Sequence, residues 1–309
     1  MHRLIYRALI LACATFIAAC AALDPVERSP MQFTTVMQDG KPIQLAYRDL
    51  GEGDPVILIH GFGANSYTWR HLEPALVKTN RVISLDLKGF GQSDKPLDKR
   101  YSVIDQAQLV SQFIDQKRLK KVTLVGHSLG GGVALAIALE DAGKKKGAQR
   151  IDRLVLIDSV AYAQKIPIAF NVLRAPLIGR VSNFLVPKEL QARAALRIAY
   201  YDNSKFDRLD VANYAEPLHD PGSQHALIQS ARQIIPENID DLAARYATIK
   251  VPALVLWCNR DKVIKPHIGW RLHRNLANST FRLLKDCGHI PQEERPQETA
   301  RIISDFLTW

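Results

Sequence analysis

Val122-Thr123-Leu124-Val125-Gly126-His127-Ser128-Leu129-Gly130 is the stretch whose reading decides the fold. Its first four residues are apolar or β-branched and read as a buried strand. The segment that follows, Gly131-Gly132-Val133-Ala134-Leu135-Ala136-Ile137-Ala138-Leu139, is rich in Ala and Leu and reads as a packed helix. A G-x-S-x-G between a strand and a helix marks a sharp turn that presents a nucleophilic serine. A neighbouring Cβ would collide on such a turn, so Gly126 and Gly130 supply room. Ser128 is then expected to expose its hydroxyl above a sheet, at the start of a helix. There the N–H of Leu129 is placed to donate to a developing oxyanion.

The surrounding chain repeats the strand-and-helix rhythm. Residues 31–50 alternate polar and apolar around Asp39-Gly40, a hairpin signal, and predict two antiparallel strands. A continuous apolar run at 56–59 and near-continuous ones at 82–87, 122–125, 154–158 and 253–257 predict strands, and the rhythm returns at 280–284. Helices are expected over 69–78, 105–116, along the stretch after Ser128, and over 297–306. Apolar strands alternating with helices indicate an α/β fold with a mostly parallel sheet covered on both faces. The rhythm fails between 161 and 233, where prolines, aromatics and short helical stretches occur without a buried strand. An insertion there is expected to form a helical cap. It divides the core into residues 31–160 and 234–309, and its Ile166, Ile168, Phe170, Leu173, Leu177, Phe184 and Leu185 are candidates to line a pocket.

An apolar fraction of 47% is ample for a large core and excludes a disordered chain or a disulfide-rich miniature fold. The net charge is +10, carried on scattered arginines and on lysines near 117–121 and 144–146. No nucleic-acid motif accompanies it, so solvated helix ends and loops are the expected reading. The first residues describe a destination. A basic start with His2, Arg3 and Arg7 precedes an apolar run at 8–19, which is short for a membrane-spanning helix of about 20 residues. Residues 1–19 therefore read as a secretory signal, and residues 20–30, with two prolines and mixed charges, as a spacer.

Two resemblances follow. Ile17-Ala18-Ala19-Cys20 resembles the lipobox of bacterial lipoproteins, although that family prefers Leu where Ile17 stands. It implies lipidation of Cys20 and an exported protein held at a membrane surface, on the periplasmic side. The outer membrane is favoured, because Ala21 stands where the inner-membrane retention signal has Asp. From about Phe33 onward the chain resembles the α/β-hydrolase superfamily, in its capped single-domain branch. The matching motifs are His60-Gly61-Phe62-Gly63, Asp86-Leu87-Lys88-Gly89-Phe90-Gly91-Gln92-Ser93, the turn at Ser128, Asn259-Arg260-Asp261-Lys262-Val263, and Gly288-His289. The resemblance implies an eight-stranded sheet and a Ser, acid, His order along the chain.

A serine hydroxyl needs a base, and the base needs an orienting acid. His289, following Gly288 past the last strand, is the expected base. Two carboxylates qualify as the acid. Asp261 matches the family motif, while Asp158 ends the preceding strand, a position that some lipases use. Asp86 is expected to bond its own loop, and His127 to pack. By resemblance, Phe62 joins Leu129 in the oxyanion hole. A serine nucleophile argues against the epoxide hydrolases and haloalkane dehalogenases of this fold, which use Asp there. The expected activity is hydrolysis of a carboxylic ester of a small, apolar acyl substrate. The alternatives are carbon–carbon bond hydrolysis by the same triad and non-catalytic binding through the cap. No cofactor is expected. No metal is expected either, since neither C-x-x-C nor H-E-x-x-H spacing occurs. Cys258 and Cys287 fall at the ends of two strands expected to be neighbours, which makes a disulfide possible if the strands are in register. Buried free thiols are the alternative.

Overall fold

In the computed structural model, residues 30–145, 147–164 and 186–308 are described. Residues 1–29, with the signal and Cys20, lie outside that set, as do the cap's seven apolar candidates between Ile166 and Leu185. The chain runs through β1 (Gln32–Gln38), β2 (Lys41–Leu50), β3 (Pro55–Ile59), α1 (Glu73–Leu76), β4 (Arg81–Leu85), α2 (Val103–Gln116), β5 (Val122–His127), α3 (Leu129–Ala142) and β6 (Ile151–Ile157). It continues through α4 (Lys188–Ala199), α5 (Arg208–Ala215), α6 (Ser223–Gln233), α7 (Ile239–Ala244), β7 (Ala253–Cys258), α8 (Pro266–Asn275), β8 (Ser279–Leu284), α9 (Pro291–Glu294) and α10 (Pro296–Leu307).

Eight strands form one sheet in the order β1-β2-β4-β3-β5-β6-β7-β8. β1, β2 and β4 pair antiparallel; every other pairing is parallel. Successive side chains of a strand point to opposite faces, and here both faces are apolar. Ile57, Ile59, Val255 and Trp257 enter one core, with Val110 and Phe113 of α2 and Val133 and Ile137 of α3. Val56, Leu58, Leu254 and Leu256 enter the other, with Leu76 of α1 and Ile303 and Phe306 of α10. Dual burial is why these strands read as continuous apolar runs. A third, smaller core joins Ala192 and Leu196 of α4 to Val211, Tyr214 and Ala215 of α5, and it includes Ile290.

The helix expected over 69–78 is two short pieces instead, a 3-10 turn at Ser66–Trp69 and the four-residue α1. Pro74 explains the break, since it cannot donate the N–H that a helix continuing from residue 70 would need. Strand β4 also ends early, at Leu85 rather than at residue 87.

Candidate active site

The site begins with a backbone constraint. Ser128 has φ +52° and ψ −115°, a conformation that non-glycine residues seldom adopt. Hydrogen bonds hold it on both sides, from Ser128 N to Ile157 O (2.9 Å) and from Val160 N to Ser128 O (2.9 Å). The two glycines are required by contact. A Cβ on Gly126 would lie 2.3 Å from the Gly130 carbonyl oxygen, and one on Gly130 would lie 2.1 Å from that of Ile59. Neither backbone oxygen can swing away as a side-chain tip could.

The remaining two expected side chains converge on this serine. Ser128 Oγ donates to His289 Nε2 at 2.9 Å, and His289 Nδ1 donates to Asp261 Oδ2 at 2.8 Å. All three residues are buried. Asp261 Oδ2 can only accept, so the bond to it assigns the proton to Nδ1 and leaves Nε2 as the acceptor, poised as a base toward Ser128. Asp261 is fixed by its own loop, with Oδ1 accepting from Val263 N (2.7 Å) and Ile264 N (3.0 Å). The Trp257 indole N–H ties that loop back to Ile264 O at 3.0 Å.

His289 is held from several directions. Its N–H donates to Ala199 O, at the end of α4, at 2.6 Å. Glu294 accepts from Gly288 N (2.6 Å), Tyr201 N (3.2 Å) and Asp202 N (2.8 Å), and so joins the base loop to the chain leaving α4. A disulfide links Cys258 to Cys287, with Cα atoms 5.3 Å apart. It is not a cross-strand pair, because the register partner of Cys258 is Leu284. The bridge instead reaches the loop beyond β8, where Arg260 N also bonds Cys287 O (3.1 Å). His127 does more than pack. Its Nε2–H donates to the His289 carbonyl at 2.7 Å, with the rings 4.9 Å apart. Burial, reinforced by neighbouring His289, pushes the His127 pKa well below the usual imidazole value.

The loop after β3 runs directly beside the serine, so that a Cβ on Gly61 would meet Ser128 Cβ at 3.1 Å. His60 sets the loop's orientation. Its Nδ1–H donates to Gly61 O (2.7 Å), and its Nε2 accepts from Leu87 N (3.0 Å). In a trans peptide the C=O and N–H point opposite ways, so the Gly61–Phe62 peptide turns the N–H of Phe62 away from His60. Leu129 is the first residue of α3, where helical N–H groups lack an intrahelical acceptor. Asp86 bonds its own loop through Gln92 N (2.8 Å) and also crosses to Ser66 N (2.6 Å).

Asp158, the other carboxylate considered, lies beside the same site. Its Oδ1 accepts from Cys258 N at 3.0 Å. Burial first, and then neighbouring Asp261, push its pKa well above the usual carboxylate range. Asp158, Asp261 and His289 are also the one group among the described residues with potential metal-ligating atoms all within 4.8 Å. Spacing motifs could not reveal this group, because its members come from three separate strand ends. The roles of His60, His127 and Glu294 were missed in the sequence for the same reason.

This geometry sets the rank of the two acids. Asp261→Asn is expected to lower kcat by about 10⁴, as when a serine protease imidazole loses its carboxylate, and Asp158→Asn far less. Steady-state kinetics of the two variants checks the order, and the reverse order would assign the acid to β6. The disulfide yields a second test. Reduction with dithiothreitol should lower activity at least several-fold before the far-ultraviolet circular dichroism changes, since small misplacements of a catalytic group are costly. Cys258→Ser should act alike. Mass spectrometry of unreduced, alkylated protein checks the bridge itself, and alkylation of both thiols would refute it.

Comparison with known proteins agrees with this architecture. The chain is 28% identical over 305 residues to a Pseudomonas putida protein named 2-hydroxy-6-oxononadienedioate/2-hydroxy-6-oxononatrienedioate hydrolase 2, covering 92% of this chain and 99% of that one. It is similar to the structure of a meta-cleavage product hydrolase (CumD) from Pseudomonas fluorescens, with TM-score 0.73, 26% identity, and 89% and 97% of the two chains covered. An esterase from Exiguobacterium antarcticum shares the fold at TM-score 0.75 and 21% identity, with 90% and 100% covered. The family model described as the alpha/beta hydrolase fold matches residues 54–296, and the chain belongs to that family.

Proposed function

We propose that this hydrolase is a serine enzyme that cleaves carboxylic esters through an acyl-enzyme. One observation carries the reading, the continuous hydrogen-bonded chain from Ser128 Oγ through His289 to Asp261 Oδ2. His289 Nε2 takes the Ser128 proton as Oγ attacks the acyl carbonyl. The backbone N–H groups of Phe62 and Leu129 receive the oxyanion. Asp261 faces the imidazolium, which then returns its proton to the leaving alcohol, and water attacking with His289 as base releases the acid. Residues 161–233 serve as the cap in this reading. Its support is the contact between α4 and the base loop, together with Ile290, which packs into the α4–α5 core. Phe62 and Phe90, edge to face beside the Gly61 loop, fit a small apolar acyl group.

A second reading has specific support. The Pseudomonas putida relative is named for hydrolysis of a 2-hydroxy-6-oxo dienedioate, and the same triad would then cleave a carbon–carbon bond. Paired assays separate the two. Short-chain p-nitrophenyl esters should turn over at least tenfold faster, in kcat/KM, than a 2-hydroxy-6-oxo-dienoate, and fluorophosphonate should label Ser128. Ser128→Ala should abolish both labelling and turnover. The opposite substrate preference would replace the ester reading with the carbon–carbon one, and turnover surviving in Ser128→Ala would sink both.

We further propose lipidation at Cys20, which would hold the enzyme at a membrane surface, with the outer membrane favoured. The support is the run Ile17-Ala18-Ala19-Cys20 behind an apolar segment. Cys20→Ala should leave an unprocessed precursor or a soluble periplasmic form. Unchanged migration and unchanged detergent partitioning would contradict the anchor.

A further inference from the structure

The buried carboxyl of Asp158 is left without a task by the mechanism above, yet its surroundings are specific. Asp158 follows β6, is fully buried, and has φ +42°, a conformation that costs energy in a residue with a Cβ. Its Oδ1 is satisfied by Cys258 N, whereas its Oδ2 is buried without a hydrogen-bond partner. Ligating atoms of Asp158, Asp261 and His289 all lie within 4.8 Å of one another.

Counting lone pairs on Asp261 shows where that oxygen can be satisfied. An ionised carboxylate offers about four acceptor sites. Oδ1 of Asp261 accepts from Val263 N and Ile264 N, and Oδ2 accepts from His289. One acceptor site remains on Asp261, whose carboxylate lies within 4.8 Å of an Asp158 oxygen. Two carboxylates this close in a dry pocket do not both ionise, so one of them keeps a proton. Three N–H donors already point at Asp261, and only one serves Asp158. The proton therefore belongs to Asp158. The groups facing Asp158 agree with this. Burial acts first, Asp261 second, and Glu294 of α9 adds in the same direction, while only the Cys258 N–H opposes them.

We propose that Asp158 is a neutral positioning acid whose Oδ2–H donates to the Asp261 carboxylate, adding a fourth side chain to the Ser128–His289–Asp261 chain. The proposal rests on the catalytic reading of those three residues. No proton leaves Asp158 during turnover. The Ser128 proton moves to His289, and the imidazolium faces the single negative charge of Asp261. The hydrogen bond from Asp158 keeps the Asp261 carboxylate turned toward Nδ1. It also withdraws part of that charge.

Asp158→Ala and Asp158→Asn test this together. The alanine variant should lose about ten- to a hundredfold in kcat, the range for a hydrogen bond to a charged group, with KM little changed. Asp261 would then stabilise the imidazolium more strongly, so the acidic limb of the kcat–pH profile should move to higher pH. Asparagine can donate its Nδ2–H to Asp261 and accept from Cys258 N, and it should recover most of the kcat and the parent's pH profile. Infrared spectra at neutral pH give a readout independent of any substrate. The parent should show the carbonyl stretch of a protonated carboxylic acid that vanishes in Asp158→Asn. The proposal fails if no such band is lost, or if the asparagine variant is as impaired as the alanine variant. It also fails if the alanine variant loses kcat with an unmoved pH profile. Should Asp158→Ala not fold, the asparagine spectra and pH profile still decide. Activity persisting in Ser128→Ala would strike the catalytic reading and leave the infrared result standing.

Discussion

The turn at Ser128 is the constraint from which the rest of the site follows. Its backbone is held in an unfavourable conformation because β5, α3 and the end of β3 meet there with no space for a Cβ at positions 126 and 130. Strain of this kind persists only where surrounding contacts over-determine it. Here they do, since Ser128 N and O are both bonded to the chain around the end of β6. A central parallel strand flanked by two others cannot shift to relieve the turn. The hydroxyl is therefore delivered to one place above the sheet, and its partners have only to reach that place.

The base loop is held within reach of it by a network of paired buried charges. Glu293, the neighbour of Glu294 on α9, accepts from Thr68 Oγ1, Arg70, Tyr200 OH and Tyr214 OH. Arg70 also bonds Asp210 of α5 at 2.6 Å. Removing one partner from a buried ion pair costs about 3–5 kcal/mol, because the other charge is left uncompensated. This network resists any separation of α4 and α5 from the base loop. Together, Glu293 and Glu294 make the short α9 the junction between those helices and the residue that takes the serine's proton.

Local pattern carried much of this fold, and the reasons can be named. Strands β3 and β7, and residues 154–157 of β6, are buried on both faces and appear as unbroken apolar runs. The G-x-S-x-G turn and Gly288-His289 are legible as short motifs, although Gly130 answers Ile59 and Gly288 answers Ala199, far away in the chain. What could not be read depends on residues far apart in sequence. His127 was assigned to packing because its partner is a carbonyl 162 residues later. The reach of Asp86 to Ser66, and of Glu294 to Tyr201 and Asp202, is invisible to periodicity for the same reason. Helix α1 was overestimated because an apolar pattern continues through Pro74 while the hydrogen-bond ladder does not.

Ile290 carries the argument one step further. It directly follows His289, and its side chain belongs to the small core of α4 and α5 rather than to either core of the sheet. Gly288, on the other side of His289, lies so close to the end of α4 that a Cβ would come 2.3 Å from the Ala199 carbonyl oxygen. The base is thus bracketed by two contacts to the same helical pair, while its ring is aimed by Asp261 and its carbonyl is held by His127. Packed interfaces shift between discrete arrangements rather than deforming continuously. A displacement of α4 and α5 would therefore move the backbone of His289 with them. In this fold, the helices following β6 and the proton-transfer step share one mechanical element, and that element is the loop from Cys287 to Glu294.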